Sequence, residues 1–368
     1  MTTGLLQAQR VFMNNQYFTI KEVCNLLKIS RPTLDSYRKK YGIENITLKG
    51  KVYFKKTDIF EQLSFAMVGV MPELDLTVLN DIAVEELEVA PGVFDLRLIR
   101  SIDAFGSICL MCCLKSRIAE RKHVYLLTGK SSACFYLHGI NFFQELKRVN
   151  GEYLHYNSEI LRDLPSGNPE IILPLHLIGY KGGEKSILDG IYTSLRVQGY
   201  SEDMCSSLGW TLGELADNAT THANGPCYFM LSSLVGPRKF LTLTIGDIGL
   251  GIPCTLKTND RYKNLEDFKA FISAFKSDVS SWADVYDRGK GLNDLLAIAK
   301  GNGAWVRAES NGMGIFFNFS NNADSINVKT AGTKATGTRY SMVLIDAEFD
   351  YVTKREMNTI LNNYLEEL

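Results

Sequence analysis

Residues 210–253 read WTLGELADNATTHANGPCYFMLSSLVGPRKFLTLTIGDIGLGIP, and the interpretation of the whole chain depends on them. Apolar residues recur at helical spacing and predict a helix over Leu208–Ala223. Glu214 and Asn218 lie four residues apart on another face of it. An acid and an amide stacked in this way suit a hydrated Mg²⁺, and Glu214 could accept a proton from an attacking water. A solvated polar face would show the same pattern, so the helix alone does not decide the matter.

Two predicted strands follow, Cys227–Val235 and Lys239–Ile245, and the second leads into a glycine-rich turn. Asp247 ends this strand and is followed by Gly249 and Gly251. Two such glycines let the backbone approach a flat ligand, and the carboxylate can accept a hydrogen bond from an exocyclic amine. Aspartate and glycine are common turn residues, so this turn is a weak signal by itself.

Two further glycine motifs lie downstream. Residues 287–292 read DRGKGL and precede a predicted helix over Leu292–Lys300, whose N-terminal N–H groups would suit a phosphate. Gly337 and Thr338 precede a predicted strand over Arg339–Ile345.

In this order, ELADNA, DIGLGI, RGKGL and GT resemble the Bergerat ATP-binding fold of the GHKL superfamily. That superfamily includes gyrase, Hsp90 chaperones, MutL, histidine kinases and anti-sigma-factor serine kinases. The resemblance covers about half the chain, from Ile171 to roughly Ile345.

The resemblance implies ATP and Mg²⁺ as cofactors, and Cys254–Asp287 as a mobile lid. The residues it implies are Asn218 for Mg²⁺, Asp247 for the adenine amine, Gly249 and Gly251 for the base pocket, Gly289, Lys290, Gly291 and Leu292 for the phosphates, and Thr338 in support of the adenine site.

Bulk composition is that of an ordinary globular chain. The 368 residues are enough for two or three domains, and 45% are hydrophobic and 22% charged. The 40 basic and 41 acidic residues nearly balance, so no global field favours nucleic acid or membrane. Eight scattered cysteines favour a reducing compartment, and we expect a cytoplasmic protein without a signal peptide or membrane span.

Residues 1–70 carry the signals of a small helical unit. Thr19 and Glu22 form a predicted capping box, Ser30 precedes a predicted helix over Arg31–Tyr41, and Thr47–Phe54 predicts a β-wing. The arrangement resembles the winged helix-turn-helix of MerR and excisionase proteins, in which the second helix enters the major groove.

Local charge agrees with contact to duplex DNA. Between residues 31 and 56 eight basic residues stand against two acidic ones, an excess of six. A winged helix that binds protein through a lysine-rich surface is the alternative. The predicted DNA contacts are Arg31, Arg38, Lys39, Lys40, Lys49 and Lys51.

Residues 74–165 predict a parallel α/β layer, because strands over Val93–Ile99 and His123–Leu127 alternate with helices. The arrangement is similar to the STAS fold of anti-sigma-factor antagonists, which carry a phosphoserine in a D-S-S-G turn. Residues 103–106 read DAFG, with Phe105 at the acceptor position, so a structural module is implied. We expect Cys109, Cys112 and Cys113 to be core residues of the intervening helix.

The sequence therefore predicts a multidomain α/β protein. It has a winged helix (1–70), a STAS-like α/β module (74–165), a Bergerat-fold α/β sandwich (170–349) and a C-terminal helix (350–368). The predicted function is an ATP- and Mg²⁺-binding regulator whose nucleotide state switches engagement of DNA or a partner, with slow hydrolysis if Glu214 acts as a base. The alternatives are an anti-sigma-type serine/threonine kinase and a non-hydrolysing nucleotide-sensing scaffold. Expected partners are ATP, duplex DNA, a protein partner and a second copy of the chain, but no membrane.

Overall fold

The chain divides into an N-terminal unit (residues 17–59), a central unit (74–162) and a C-terminal unit (171–367). The computed structural model describes residues 17–27, 29–48, 50–56, 58–59, 74–77, 79–80, 84–162, 171–178, 184–197, 199–222, 227–235, 239–277, 279–281, 291–320, 324–345 and 354–367. Within this described part of the chain, no helix combines the length and apolar character needed to cross a membrane.

The N-terminal unit packs two helices against a three-stranded antiparallel sheet of order β1-β3-β2. Its elements are β1 (Tyr17–Thr19), α1 (Ile20–Leu27), α2 (Arg31–Tyr41), β2 (Asn45–Leu48) and β3 (Lys51–Lys55). The predicted capping box is confirmed, since Glu22 Oε2 accepts from Thr19 N at 2.7 Å and Thr19 Oγ1 accepts from Glu22 N at 3.3 Å. Ser30 caps α2, whose predicted bounds are also confirmed.

The central unit contains a four-stranded sheet of order β5-β6-β8-β9, in which β6, β8 and β9 are parallel. A separate parallel pair joins β4 to β7. The elements are β4 (Leu74–Leu76), β5 (Glu88–Ala90), β6 (Val93–Asp95), β7 (Ile99–Ile102), α3 (Ala104–Ala119), β8 (Val124–Leu127), α4 (Ser132–Gly139), α5 (Phe142–Lys147), β9 (Leu154–Tyr156) and α6 (Ser158–Arg162).

The prediction of one strand over Val93–Ile99 was wrong. Strand β6 stops at Asp95, a 3-10 turn covers Leu96–Leu98, and β7 belongs to a different sheet. The Asp95 carboxylate causes the break, because it accepts from Arg97 N at 3.1 Å and pairs with the Arg97 guanidinium at 2.6 Å. The DAFG sequence is a helix start, since Asp103 Oδ1 accepts from Gly106 N at 2.9 Å and caps α3.

The C-terminal unit is built on a seven-stranded antiparallel sheet of order β10-β11-β12-β16-β13-β14-β15. Its elements are β10 (Ile171–Ile178), α7 (Glu184–Val197), α8 (Glu202–His222), β11 (Cys227–Val235), β12 (Lys239–Asp247), α9 (Ile252–Leu256), α10 (Asp267–Ser273), α11 (Gly291–Gly301), β13 (Trp305–Ser310), β14 (Met313–Asn318), β15 (Ser325–Thr330), β16 (Thr338–Ile345) and α12 (Lys354–Glu367).

The predicted strand bounds of β11 are confirmed, but α8 begins at Glu202 instead of Leu208. The earlier start follows from Ser201, whose Oγ accepts from Met204 N at 3.3 Å, and from two acidic residues in the first turn.

Helix α3 lies between the two large sheets and is buried along most of its length, including Cys109, Cys112 and Cys113. It packs against β12 and β16 on the face of the seven-stranded sheet opposite to α7, α8 and α11. A Cβ at Gly246 would lie 2.4 Å from Ile108 Cγ2, so glycine is required for this close contact.

Strand β8 is buried on both faces and joins the central unit to the N-terminal unit. Val124 and Leu126 belong to the apolar cluster around α3, whereas Tyr125 and Leu127 belong to the cluster of the N-terminal unit. Apolar cores therefore run across the predicted domain boundaries, because an alternating strand with two apolar faces needs a partner on each.

Candidate functional site

The candidate site is centred on Asp247, the last residue of β12. Strand alternation places Asp247 on the same face of the sheet as Ile245, which packs in the cluster that contains α8 and α11. Its side chain is buried, and its Oδ1 accepts from Gly249 N at 2.8 Å and from Thr338 N at 3.2 Å. Burial raises the pKa of Asp247 from 3.8 to about 6, while these two hydrogen bonds and Arg339 oppose the rise. The carboxylate is therefore ionised at neutral pH despite its burial.

Gly337 lets the start of β16 lie directly against the end of β12. Its φ is +103°, and a Cβ there would be 2.1 Å from the Asp247 carbonyl oxygen. Only glycine satisfies both constraints. The GT motif thus brings the Thr338 N–H within reach of Asp247, and the supporting role of Thr338 at an adenine site stays a prediction.

The turn between β13 and β14 connects the two parts of this site. Asn311 Nδ2 donates to Leu250 O at 2.8 Å, and its Oδ1 accepts from Gly337 N at 3.1 Å. Ser310 Oγ accepts from Ile252 N at 2.9 Å and donates to Gly337 O at 3.2 Å. Sequence reasoning did not find these residues. The Asn-Gly pair at 311–312 is a hairpin signal, but it predicts a turn and not its contacts.

Gly251 has a structural neighbour that the sequence did not suggest. A Cβ at this position would lie 2.3 Å from Asn311 Oδ1, and the backbone has φ +77°. The glycine therefore admits the Asn311 amide. Its lining of a base pocket stays a prediction, as does that of Gly249, which is buried beside Asp247.

The predicted metal and phosphate residues lie on α8 and α11, which pack against each other. Asn218 is half-buried on α8, Gly291 is buried at the start of α11, and Leu292 follows it half-buried. The side chain of Glu214, also on α8, lies outside the described residues, as do Gly289 and Lys290. The structure thus brings Asp247, Gly249, Gly251 and Thr338 together and places α8 beside β12.

The middle of the segment predicted as a mobile lid, Cys254–Asp287, packs into the core, and the mobility of the segment stays a prediction. Phe271, Ile272 and Phe275 are fully buried in the core beside α11, and Asn293 Nδ2 donates to Phe275 O at 2.9 Å. The aromatic side chains explain this packing, since each of them buries a large apolar area. Residues 282–290 lie outside the described part.

The predicted DNA contacts lie on α2 and the wing. Arg31, Lys39, Lys40 and Lys51 are exposed and Arg38 is half-buried, whereas Lys49 lies outside the described residues.

Lys56 corrects the charge count, because it is buried and faces the central unit. Its Nζ lies 4.8 Å from the ring centre of Phe18 and 5.7 Å from that of Tyr125. Burial lowers the pKa of Lys56, and the excess charge available to a partner is smaller than the sequence indicated.

The residues of the candidate site fit a Mg²⁺ ion that is held mainly by a nucleotide and water, as the sequence predicts. In the described ranges no group of three or more His, Cys, Asp or Glu side chains could hold a metal ion. A nucleotide-bound Mg²⁺ needs only one or two protein oxygens, since water and phosphate supply the rest. The half-buried amide of Asn218 satisfies that requirement.

Comparison with known proteins adds little to this geometry. No protein-family model matches the chain, and no curated protein matches it. Two similar solved structures are the mycobacterial sensor histidine kinase MprB and the topoisomerase IV ATP-binding domain of Francisella tularensis in complex with a small-molecule inhibitor. The first has a TM-score of 0.24 and 15% identity, and the match covers 44% of this chain and 94% of the kinase. The second has a TM-score of 0.17 and 16% identity, and covers 34% and 33%. Similarity at this level assigns neither family nor function.

Proposed function

We propose that the C-terminal unit binds ATP, with the adenine amine donating to Asp247. The observation that carries this proposal is a carboxylate buried at the end of β12, where two backbone N–H groups donate to it and Arg339 favours its charged form. Burying a charge costs free energy, and groups with strongly shifted pKa values cluster at functional sites. Both described backbone donors bind Oδ1. An asparagine oxygen could accept the same two bonds, so besides the nearby Arg339 an external donor would account for a charged group here.

The two helices packed beside this strand suit the remainder of the nucleotide. Helix α11 covers the 11 residues Gly291–Gly301, and the N–H groups of its first turn would suit phosphate oxygens. Asn218 would hold Mg²⁺ through its amide oxygen, and the ion would neutralise charge on the phosphates. Glu214 would orient or deprotonate a water.

A second proposed function is binding of duplex DNA by the N-terminal unit, with nucleotide state altering its engagement. The exposed basic side chains on α2 and the wing support the DNA contact. The continuous apolar packing from β12 through α3 and β8 to the N-terminal unit supports the coupling, because packed elements transmit small shifts.

The test of ATP binding is titration calorimetry of the full chain with ATP and MgCl₂. Wild type should bind ATP saturably, and Asp247→Asn should bind it far more weakly. Asp103→Asn is the matched control, because asparagine retains the helix-capping function at a carboxylate far along the chain from the site. Equal affinity of wild type and Asp247→Asn would remove the adenine assignment.

Turnover is tested separately with γ-labelled ATP and Mg²⁺, alone and with cell extract. Free phosphate indicates an ATPase, a labelled protein indicates a kinase, and neither product in the presence of binding indicates a nucleotide-sensing scaffold.

A further inference from the structure

The Asn311 side chain joins the two backbone segments that surround Asp247, which Ser310 also connects through Ile252 N and Gly337 O. The Asn311 amide donates to Leu250 O at 2.8 Å and accepts from Gly337 N at 3.1 Å. Leu250 directly follows Gly249, and Gly337 directly precedes Thr338. The backbone N–H groups of Gly249 and Thr338 donate to Asp247 Oδ1. Asn311 therefore binds the sequence neighbour of each of the two residues whose N–H groups orient the carboxylate.

We propose that Asn311 is a positioning residue for adenine recognition, because it fixes the spacing of these two segments and thereby the direction of the Asp247 carboxylate. The inference rests on the proposed function and extends it to the discrimination of the 6-amino group. Asn311 itself does not touch the base.

Packing alone would not fix the turn that Asn311 holds. Leu250 is 59% exposed, so burial of this residue contributes little to the position of its carbonyl. The hydrogen bond from Asn311 supplies a directional restraint instead. Gly251 is compatible with this restraint because it has no Cβ in the space of the Asn311 amide.

The conformation at residue 311 restricts which side chains could do this. Asn311 has φ +50°, a left-handed conformation that asparagine and glycine tolerate better than other residues. Of these two, only asparagine has a side-chain donor and acceptor. A glycine at 311 would keep the turn and remove the connection that Asn311 makes, leaving only the connection through Ser310.

The experiment compares ATP with purine riboside triphosphate, which lacks the 6-amino group, by titration calorimetry in MgCl₂. Asn311→Gly should weaken ATP binding about tenfold, the loss expected for one or two hydrogen bonds. It should weaken purine riboside triphosphate binding much less, so the preference for ATP falls. A general loss of structure would lower both affinities together.

The matched control is Asn150→Gly. Asn150 has φ +55°, makes no side-chain capping bond and lies in the central unit, so it should leave both affinities unchanged. If Asn311→Gly does not fold, Asn311→Asp gives the same test, since it has nearly the same shape and cannot donate to Leu250 O. An unchanged preference for ATP in the folded variant would overturn the inference, whether the affinities stay equal to wild type or fall equally. Wild type that binds neither nucleotide would instead contradict the proposed function.

Discussion

Asp247→Asn should weaken ATP binding and at the same time stabilise the fold. The asparagine oxygen can still accept from Gly249 N and Thr338 N, so the internal hydrogen bonds remain. What disappears is the buried charge and its ability to accept strongly from the adenine amine. The two effects have the same cause and opposite signs.

The magnitude of the stability effect follows from the pKa of Asp247. Burial raises this pKa from 3.8 to about 6. A raised carboxyl pKa favours the protonated form in the folded state, so the stabilising contribution is complete below about pH 4 and is lost as pH rises through about 6. Each unit of pKa shift corresponds to 1.36 kcal/mol, so the buried charge lowers the free energy of unfolding of wild type at pH 7 by about 3 kcal/mol. Asp247→Asn should recover a large part of this free energy.

The magnitude of the binding effect is similar. A hydrogen bond to a charged group is worth about 1.5–3 kcal/mol, so ATP affinity should fall by roughly one to two orders of magnitude. The same reasoning predicts that wild-type affinity for ATP falls as pH drops below about 6, because protonated Asp247 loses its charge.

The assay is urea denaturation of both proteins at pH 4 and pH 7, with titration calorimetry of ATP at pH 5.5 and pH 7.5. The variant should be more stable than wild type at pH 7 and close to it at pH 4, and its weaker ATP affinity should vary less with pH than that of wild type, because only the titration of the ATP phosphates remains. A variant that is less stable than wild type at pH 7 and binds ATP equally well would refute the reasoning.

Two other predictions address the metal and the DNA. Asn218→Ala should abolish the Mg²⁺ dependence of ATP binding, measured by calorimetry with and without MgCl₂. Glu214→Gln should leave ATP binding intact and stop phosphate release, measured by a phosphate assay. Unchanged phosphate release by Glu214→Gln would make Glu214 a structural residue. Replacing the basic residues 38–40 with alanine should weaken duplex binding and lower the slope of log affinity against log salt by about 0.9 for each lost phosphate contact, measured by fluorescence anisotropy. Lys334→Ala, at an exposed position in the C-terminal unit, should leave that slope unchanged, and no salt-dependent affinity of wild type would favour protein contact.

Local signals made part of the fold predictable. The capping box at Thr19 and the N-cap at Ser30 each specify a helix boundary through neighbouring residues. Gly337 and Thr338 lie against Asp247, whereas the role predicted for Thr338 at an adenine site stays a prediction.

What the sequence did not reveal depends on residues distant in the chain. Lys56 is buried because Phe18 and Tyr125, which belong to different units, enclose it. Phe271 is buried because it packs in the apolar cluster that contains α11. Asn311 contacts one segment 61 residues before it and another 26 residues after it. No periodic pattern in the sequence predicts such contacts. Tertiary packing decided all three.

Hydrogen exchange tests the central claim most directly, because the amides that orient Asp247 belong to the proposed adenine site. On addition of ATP and MgCl₂ to the full chain, exchange should slow in peptides that contain Gly249 and Thr338, and the same peptides of Asp247→Asn should change little under the same conditions. Saturating ATP that leaves exchange in both wild-type peptides unchanged, or slows it only elsewhere in the chain, would contradict ATP binding at Asp247.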